Sequence, residues 1–112
     1  MGRILARLAG GLLLAAMTYS VAAQNVDTAA AEVLAKKSGC LKCHAVDRKK
    51  DGPSFKETAA KYKGKPDAED KLFAHLTTNP KIKVDGKEEL HDSLKTKDEA
   101  ADKNFVRWIL SR

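Results

Sequence analysis

The chain has 112 residues, with 21 Lys+Arg against 15 Asp+Glu and a formal net charge of +6. That length allows one domain and excludes two ordinary ones. Hydrophobic residues at 43% and charged residues at 32% exclude a disordered chain and a polytopic membrane protein, and two cysteines are too few for a disulfide scaffold.

At the N-terminus, Arg3 and Arg7 lead into the uncharged run Leu8–Met17, and Val21-Ala22-Ala23 sets small side chains before polar Gln24-Asn25. This is the layout of a secretory signal peptide cleaved after Ala23. The competing reading, an uncleaved anchor, asks for about 20 apolar residues, more than the run supplies. Residues 1–23 are therefore expected to be removed, leaving 24–112 as one exported, periplasmic domain with no stable membrane insertion. Both methionines, Met1 and Met17, leave with the signal. Removing two Arg and no acid keeps the product basic.

The spacing predicts a first helix over Thr28–Lys37, capped by Asp27 or Thr28, with Ala31, Val33, Leu34 and Ala35 as its apolar side and Ser38-Gly39 as its stop. Cys40-Leu41-Lys42-Cys43-His44 follows at once. Four readings of its two thiols compete. A thioredoxin-type redox pair belongs after a strand, and none is predicted there. A zinc site lacks a second ligand pair, since His44, His75 and His91 are scattered. A plain disulfide closes too small a loop to constrain the unfolded chain much. The fourth reading uses every residue of the motif: C-x-x-C-H is the pattern for covalent c-type haem attachment. Two thiols at this spacing add across the two vinyl groups of a porphyrin, and the adjoining imidazole of His44 ligates the iron.

Beyond the motif, Asp47–Pro53 reads as a charged loop. A second helix, Phe55–Lys63, opens with the capping box Ser54-Phe55-Lys56-Glu57 and closes at Gly64. A third, about Asp67–Leu76, starts after Pro66, presents Leu72, Phe73 and Leu76, and breaks at Asn79-Pro80. Lys81–Ser93 has no sustained period and is expected to be an irregular loop. The last helix, Lys97–Leu110, takes Thr96-Lys97-Asp98-Glu99 as a second capping box, with Ala101, Phe105, Trp108 and Ile109 on one buried face. Four short helices and no convincing strand predict an all-α domain. An aromatic content of only 5% leaves it a modest core, to which a haem would add a large apolar body.

Taken together, Ala31-x-x-Leu34-Ala35-x-Lys37-x-Gly39 with the haem motif, Gly52-Pro53-Ser54-Phe55, Lys61-Tyr62-Lys63-Gly64 and Phe105-Val106-x-Trp108-Ile109-Leu110 resemble the small bacterial monohaem class I cytochromes c. The resemblance covers Ala29–Arg112 and is most specific in the haem motif and the terminal helix. It implies the cytochrome c fold, its first and last helices crossing, around one covalent haem c, and electron transfer in a periplasm. It also implies that Pro53 offers its carbonyl to the far ring nitrogen of His44, fixing the tautomer of that ligand.

One departure stands out. Members of the family usually complete the iron with a methionine about sixteen residues before the terminal tryptophan, and residues 24–112 contain none. His91 lies 47 residues after His44 and 17 before Trp108, which makes it the expected sixth ligand of a bis-histidine haem. His75 is the weaker competitor, read as a surface or packing residue of the third helix; an open or otherwise ligated iron is the remaining alternative. Imidazole donates more strongly than thioether, so the potential should fall below that of His/Met relatives.

The function expected is that of a monomeric one-electron carrier. Arg48, Lys49, Lys50, Lys61, Lys63, Lys65, Lys81, Lys83 and Lys87 would steer acidic redox partners towards it. The alternative is a haem-based sensor or small-ligand binder with a labile distal site. No acid–base constellation supports an enzyme, and so few aromatics on an exported chain argue against nucleic-acid binding.

Overall fold

The computed structural model describes residues 25–112; the expected signal peptide at 1–23 lies outside the described residues. Helix α1 spans Thr28–Lys37, and the Asp27 carboxylate caps it by accepting from the Ala30 N–H at 2.9 Å. It ends because Gly39 takes a left-handed conformation, φ 73°, which admits glycine without a Cβ clash. A single 3₁₀ turn, Cys40–Lys42, follows.

Helix α2, Phe55–Tyr62, carries the expected capping box. The Glu57 N–H donates to Ser54 Oγ at 3.0 Å, while Glu57 Oε2 accepts from the Ser54 N–H at 2.7 Å. Helix α3 is Ala68–Thr77. Helix α4, Glu99–Leu110, packs against α1, α2 and α3 and is the centre of the fold. Its Phe105, Val106, Trp108 and Ile109 are buried together with Ala31, Leu34, Phe55, Leu72 and Leu76. Full burial of a side chain such as Phe105 contributes about 1.5–3 kcal/mol. A reciprocal clamp ties the start of α1 to α4: the Asp27 N–H donates to Asn104 Oδ1, and Asn104 Nδ2 donates to the Asp27 carbonyl, each at 2.9 Å.

Two expectations are corrected. The segment after α3 is not irregular: β1, Lys81–Val84, and β2, Lys87–Leu90, form an antiparallel hairpin with Lys83 opposite Glu88 and Val84 opposite Lys87. Asp85 and Gly86 turn it with φ of 49° and 78°, the conformation a tight two-residue hairpin requires. The expected architecture of four short helices stands, with this one short hairpin added to it. The second correction concerns α4, which begins at Glu99 rather than Lys97. Asp98 is its cap, accepting from the Ala100 N–H at 3.0 Å, while Thr96 Oγ1 accepts from the Asp98 N–H and holds the preceding turn.

Candidate haem site

The left-handed stop at Gly39 throws the chain straight into the 3₁₀ turn, which bunches the motif: the N–H groups of Cys43 and His44 both donate to the Cys40 carbonyl. Both cysteines are free thiols, Cys40 half-buried and Cys43 exposed. Burial pushes the Cys40 thiol above its ordinary range, so it is held protonated. Among the described residues no group of three His, Cys, Asp or Glu forms a metal-ion site, and the hairpin at 81–90 holds the only strands. Neither the zinc nor the thioredoxin arrangement is therefore built here.

His44 is set from three directions. Its Nδ1 lies 2.6 Å from the Pro53 carbonyl oxygen, a contact in which the ring N–H donates and the carbonyl accepts. Its ring stacks on Phe55, with centroids 5.5 Å apart and planes at 21°. Phe55 in turn meets Phe105 and Trp108 edge-on, so the imidazole rests on the aromatic core. Gly52 closes the third side. A Cβ there would fall 2.8 Å from His44 Nδ1 and closer still to Cε1, so only glycine leaves room for the ring. The Gly52 N–H donates to the Cys43 carbonyl at 2.8 Å, which locks the loop onto the motif.

His91 comes to the site from the far side, immediately after β2. Its backbone is latched twice: the His91 N–H donates to the Pro80 carbonyl at 2.8 Å, and Asn79 Nδ2 donates to the His91 carbonyl at 2.9 Å. Asn79 reaches it from a left-handed conformation, φ 50°. The His91 ring lies with its centroid 6.2 Å from that of His44. His75, on α3, packs on His91 with centroids 4.6 Å apart. Burial holds both His75 and His91 below the ordinary imidazole range, which keeps their nitrogen lone pairs available.

These residues fit a haem. Two metal–imidazole bonds of about 2 Å each, plus about an ångström from each nitrogen to its ring centre, put the centres of two trans imidazoles roughly 6 Å apart. His44 and His91 stand at that separation; His75 and His91, at 4.6 Å, stand too close to face each other across a metal. His91 Nδ1 and Trp108 Nε1 are buried without a hydrogen-bond partner, which marks polar atoms waiting for one.

The sequence reading named Cys40, Cys43, His44, Pro53 and His91, and the fold brings all five together. His75 differs from its reading as a surface or packing residue of α3 in touching His91 itself. Two further residues hold roles that spacing does not reveal: Gly52, by its closeness to His44, and Asn79, which latches His91 as well as breaking the helix.

Mainly helical, with a C-x-x-C-H turn facing a second imidazole, the domain defines a small monohaem c-type protein. The cytochrome c family profile matches residues 28–108. Cytochrome c-551 of Pseudomonas aeruginosa is 36% identical over 95 residues, covering 85% of this chain and 88% of its own length. The class 1 cytochrome MtoD from Sideroxydans lithotrophicus ES-1 superposes with a TM-score of 0.75 at 52% identity, over 78% of this chain and 97% of that one. Wild-type cytochrome c552 of Nitrosomonas europaea gives 0.56 at 31% identity, over 71% and 96%.

The chain belongs to the cytochrome c family, as a small class I monohaem member. It binds one covalent haem c with its iron and serves as an electron carrier for redox partners, not as an enzyme. Among the described residues no helix is long and apolar enough to cross a membrane.

Proposed function

We propose that the chain is a periplasmic one-electron carrier whose haem is bound through Cys40 and Cys43 and whose iron is held by His44 and His91. The observation that carries this reading is the 6.2 Å separation of the two imidazole centres, in a chain with no methionine after Met17. When bound, the iron supplies a reversible one-electron couple. The protein holds the two ligands still, so that little has to move when the charge changes. His44 is oriented by the Pro53 carbonyl, which also raises its basicity. His91 is held by the two backbone latches at the foot of the hairpin.

The remaining parts of the reading follow from charge and sequence. Residues 1–23 act as the signal peptide and 24–112 as the mature domain. Lys42 adjoins the exposed Cys43 in the chain and Lys50 Nζ donates to the Leu41 carbonyl at 2.7 Å; with Arg48 and Lys49 they dock acidic surfaces of partner proteins, with the mature chain working as a monomer. Two imidazoles favour ferric iron, which lowers the potential relative to His/Met relatives.

Optical and electron paramagnetic resonance spectra of the ferric and ferrous protein test the ligand set. The wild type should be low-spin in both states and indifferent to carbon monoxide, and His91→Ala should be high-spin and bind it. A His91→Ala variant that stays low-spin removes His91 from the iron. A high-spin wild-type ferrous form that takes up carbon monoxide replaces the carrier by a ligand-binding protein. His91→Met should raise the midpoint potential; a fall contradicts the assigned ligation.

A further inference from the structure

An imidazole bound to a metal through one nitrogen almost always donates its other N–H to a partner, which fixes its orientation and raises its basicity. For His44 that partner is the Pro53 carbonyl. For His91 the comparable group is missing from the direct contacts: Nδ1 is buried and has no hydrogen-bond partner. The Pro80 carbonyl and Asn79 Nδ2 are spent on the His91 backbone, accepting from its N–H and donating to its carbonyl, which leaves the Asp92 backbone as the one local group facing the ring. The side chain that lies against the ring is His75, with centroids 4.6 Å apart and planes tilted by 54°. At that separation the two rings are in contact, which makes His75 the side chain best placed to meet the free nitrogen of His91. A neutral imidazole carries one acceptor nitrogen, so His75 can receive the proton that His91 has to place.

We propose that His75 is the positioning residue of the distal ligand, accepting a hydrogen bond from the Nδ1–H of His91 and so fixing its tautomer and strengthening its bond to the iron. This rests on the assignment of His91 as ligand. It makes the two sides of the site unlike in kind: a backbone carbonyl orients His44, whereas an exchangeable side chain on a different element, α3, orients His91. The rival acceptor is the backbone carbonyl of Asp92, which a replacement at position 75 leaves in place.

The test uses the haem-loaded protein and four variants: His75→Ala, His75→Gln, His75→Asn and His91→Ala. The carbonyl oxygens of Gln and Asn stand near the positions of the two imidazole nitrogens. His75→Ala should stay low-spin, shift the midpoint potential upward, and bind added imidazole in place of His91 about 10–100-fold more readily. At least one of the two amide variants should bring both quantities back towards the wild type, a rescue that packing alone does not give. An Ala variant with wild-type potential and imidazole affinity overturns the proposal and leaves the proton to Asp92. A shift that neither amide reverses also overturns it, by assigning His75 a packing role. If His75→Ala turns high-spin while His91→Ala stays low-spin, the ligand assignment itself falls. If His91→Ala alone turns high-spin and His75→Ala is silent, only the positioning role is lost.

Discussion

The two halves of the site are built by different means. The His44 side is made of near neighbours in the chain: motif, Gly52, Pro53 and Phe55 lie within sixteen residues, and the ring rests on the most deeply buried part of the core. The His91 side is assembled from α3, Asn79 and the foot of an exposed hairpin, and it is held mainly through the backbone. Short-range constraints produce a rigid cradle; long-range latches produce a second imidazole that local opening can release. One face of the site is therefore expected to fail all at once and the other by degrees.

The strongest blow to the cradle is Gly52→Val, whose side chain occupies the space of the His44 ring. Haem-loaded protein, measured as haem absorbance per milligram, should fall about tenfold or more. Phe55→Ala removes the ring beneath His44 and should cost about 3–5 kcal/mol in urea unfolding. On the other side the losses should be smaller and separable. Asn79→Ala loses both the latch and a side chain suited to positive φ, costing about 1–2 kcal/mol of hairpin stability, whereas Asn79→Gly should cost about 1. Hydrogen exchange of the hairpin amides distinguishes the two.

The smallest change falls on neither side. Asp102 in α4 is buried with Oδ1 unpartnered. Burial, with Asp98 and Glu99 adding to it, holds its carboxyl above the usual range. The folded state thus binds that proton more tightly than the unfolded chain, so ionised Asp102 weakens the fold above its pKa, and the penalty disappears as pH falls through it. Asp102→Asn should stabilise by about half a kcal/mol at pH 7, since solvent screens part of the charge, with the gain shrinking in acid and the His44 and His91 rings undisturbed.

Much of this was legible in the sequence where local chemistry decides. Helix α1 follows from Asp27 and Gly39, and α2 from Ser54 and Glu57, because caps act within four residues. The start of α4 was misread because Thr96 and Asp98 both accept from nearby N–H groups and only one geometry caps the helix. The hairpin is hard to read because β1, Lys-Ile-Lys-Val, alternates over only four residues with Ile82 and Val84 half-buried, and β2, Lys-Glu-Glu-Leu, is exposed throughout and has no alternation to answer it. The pair Asp85-Gly86 was the available signal, since it favours the turn both residues adopt. In the site, the motif announced His44, and the missing methionine pointed to His91. The contact between His75 and His91 depends on how α3 meets the hairpin, which no spacing encodes.

The clamp between Asp27 and Asn104 joins residues 77 positions apart. Such a contact waits for nearly the whole chain, because a loop of that length has to close before it forms. In a polypeptide made from its N-terminus, Cys40, Cys43 and His44 emerge well before the helix that seals α1, so both thiols are reachable on an open chain until the clamp closes.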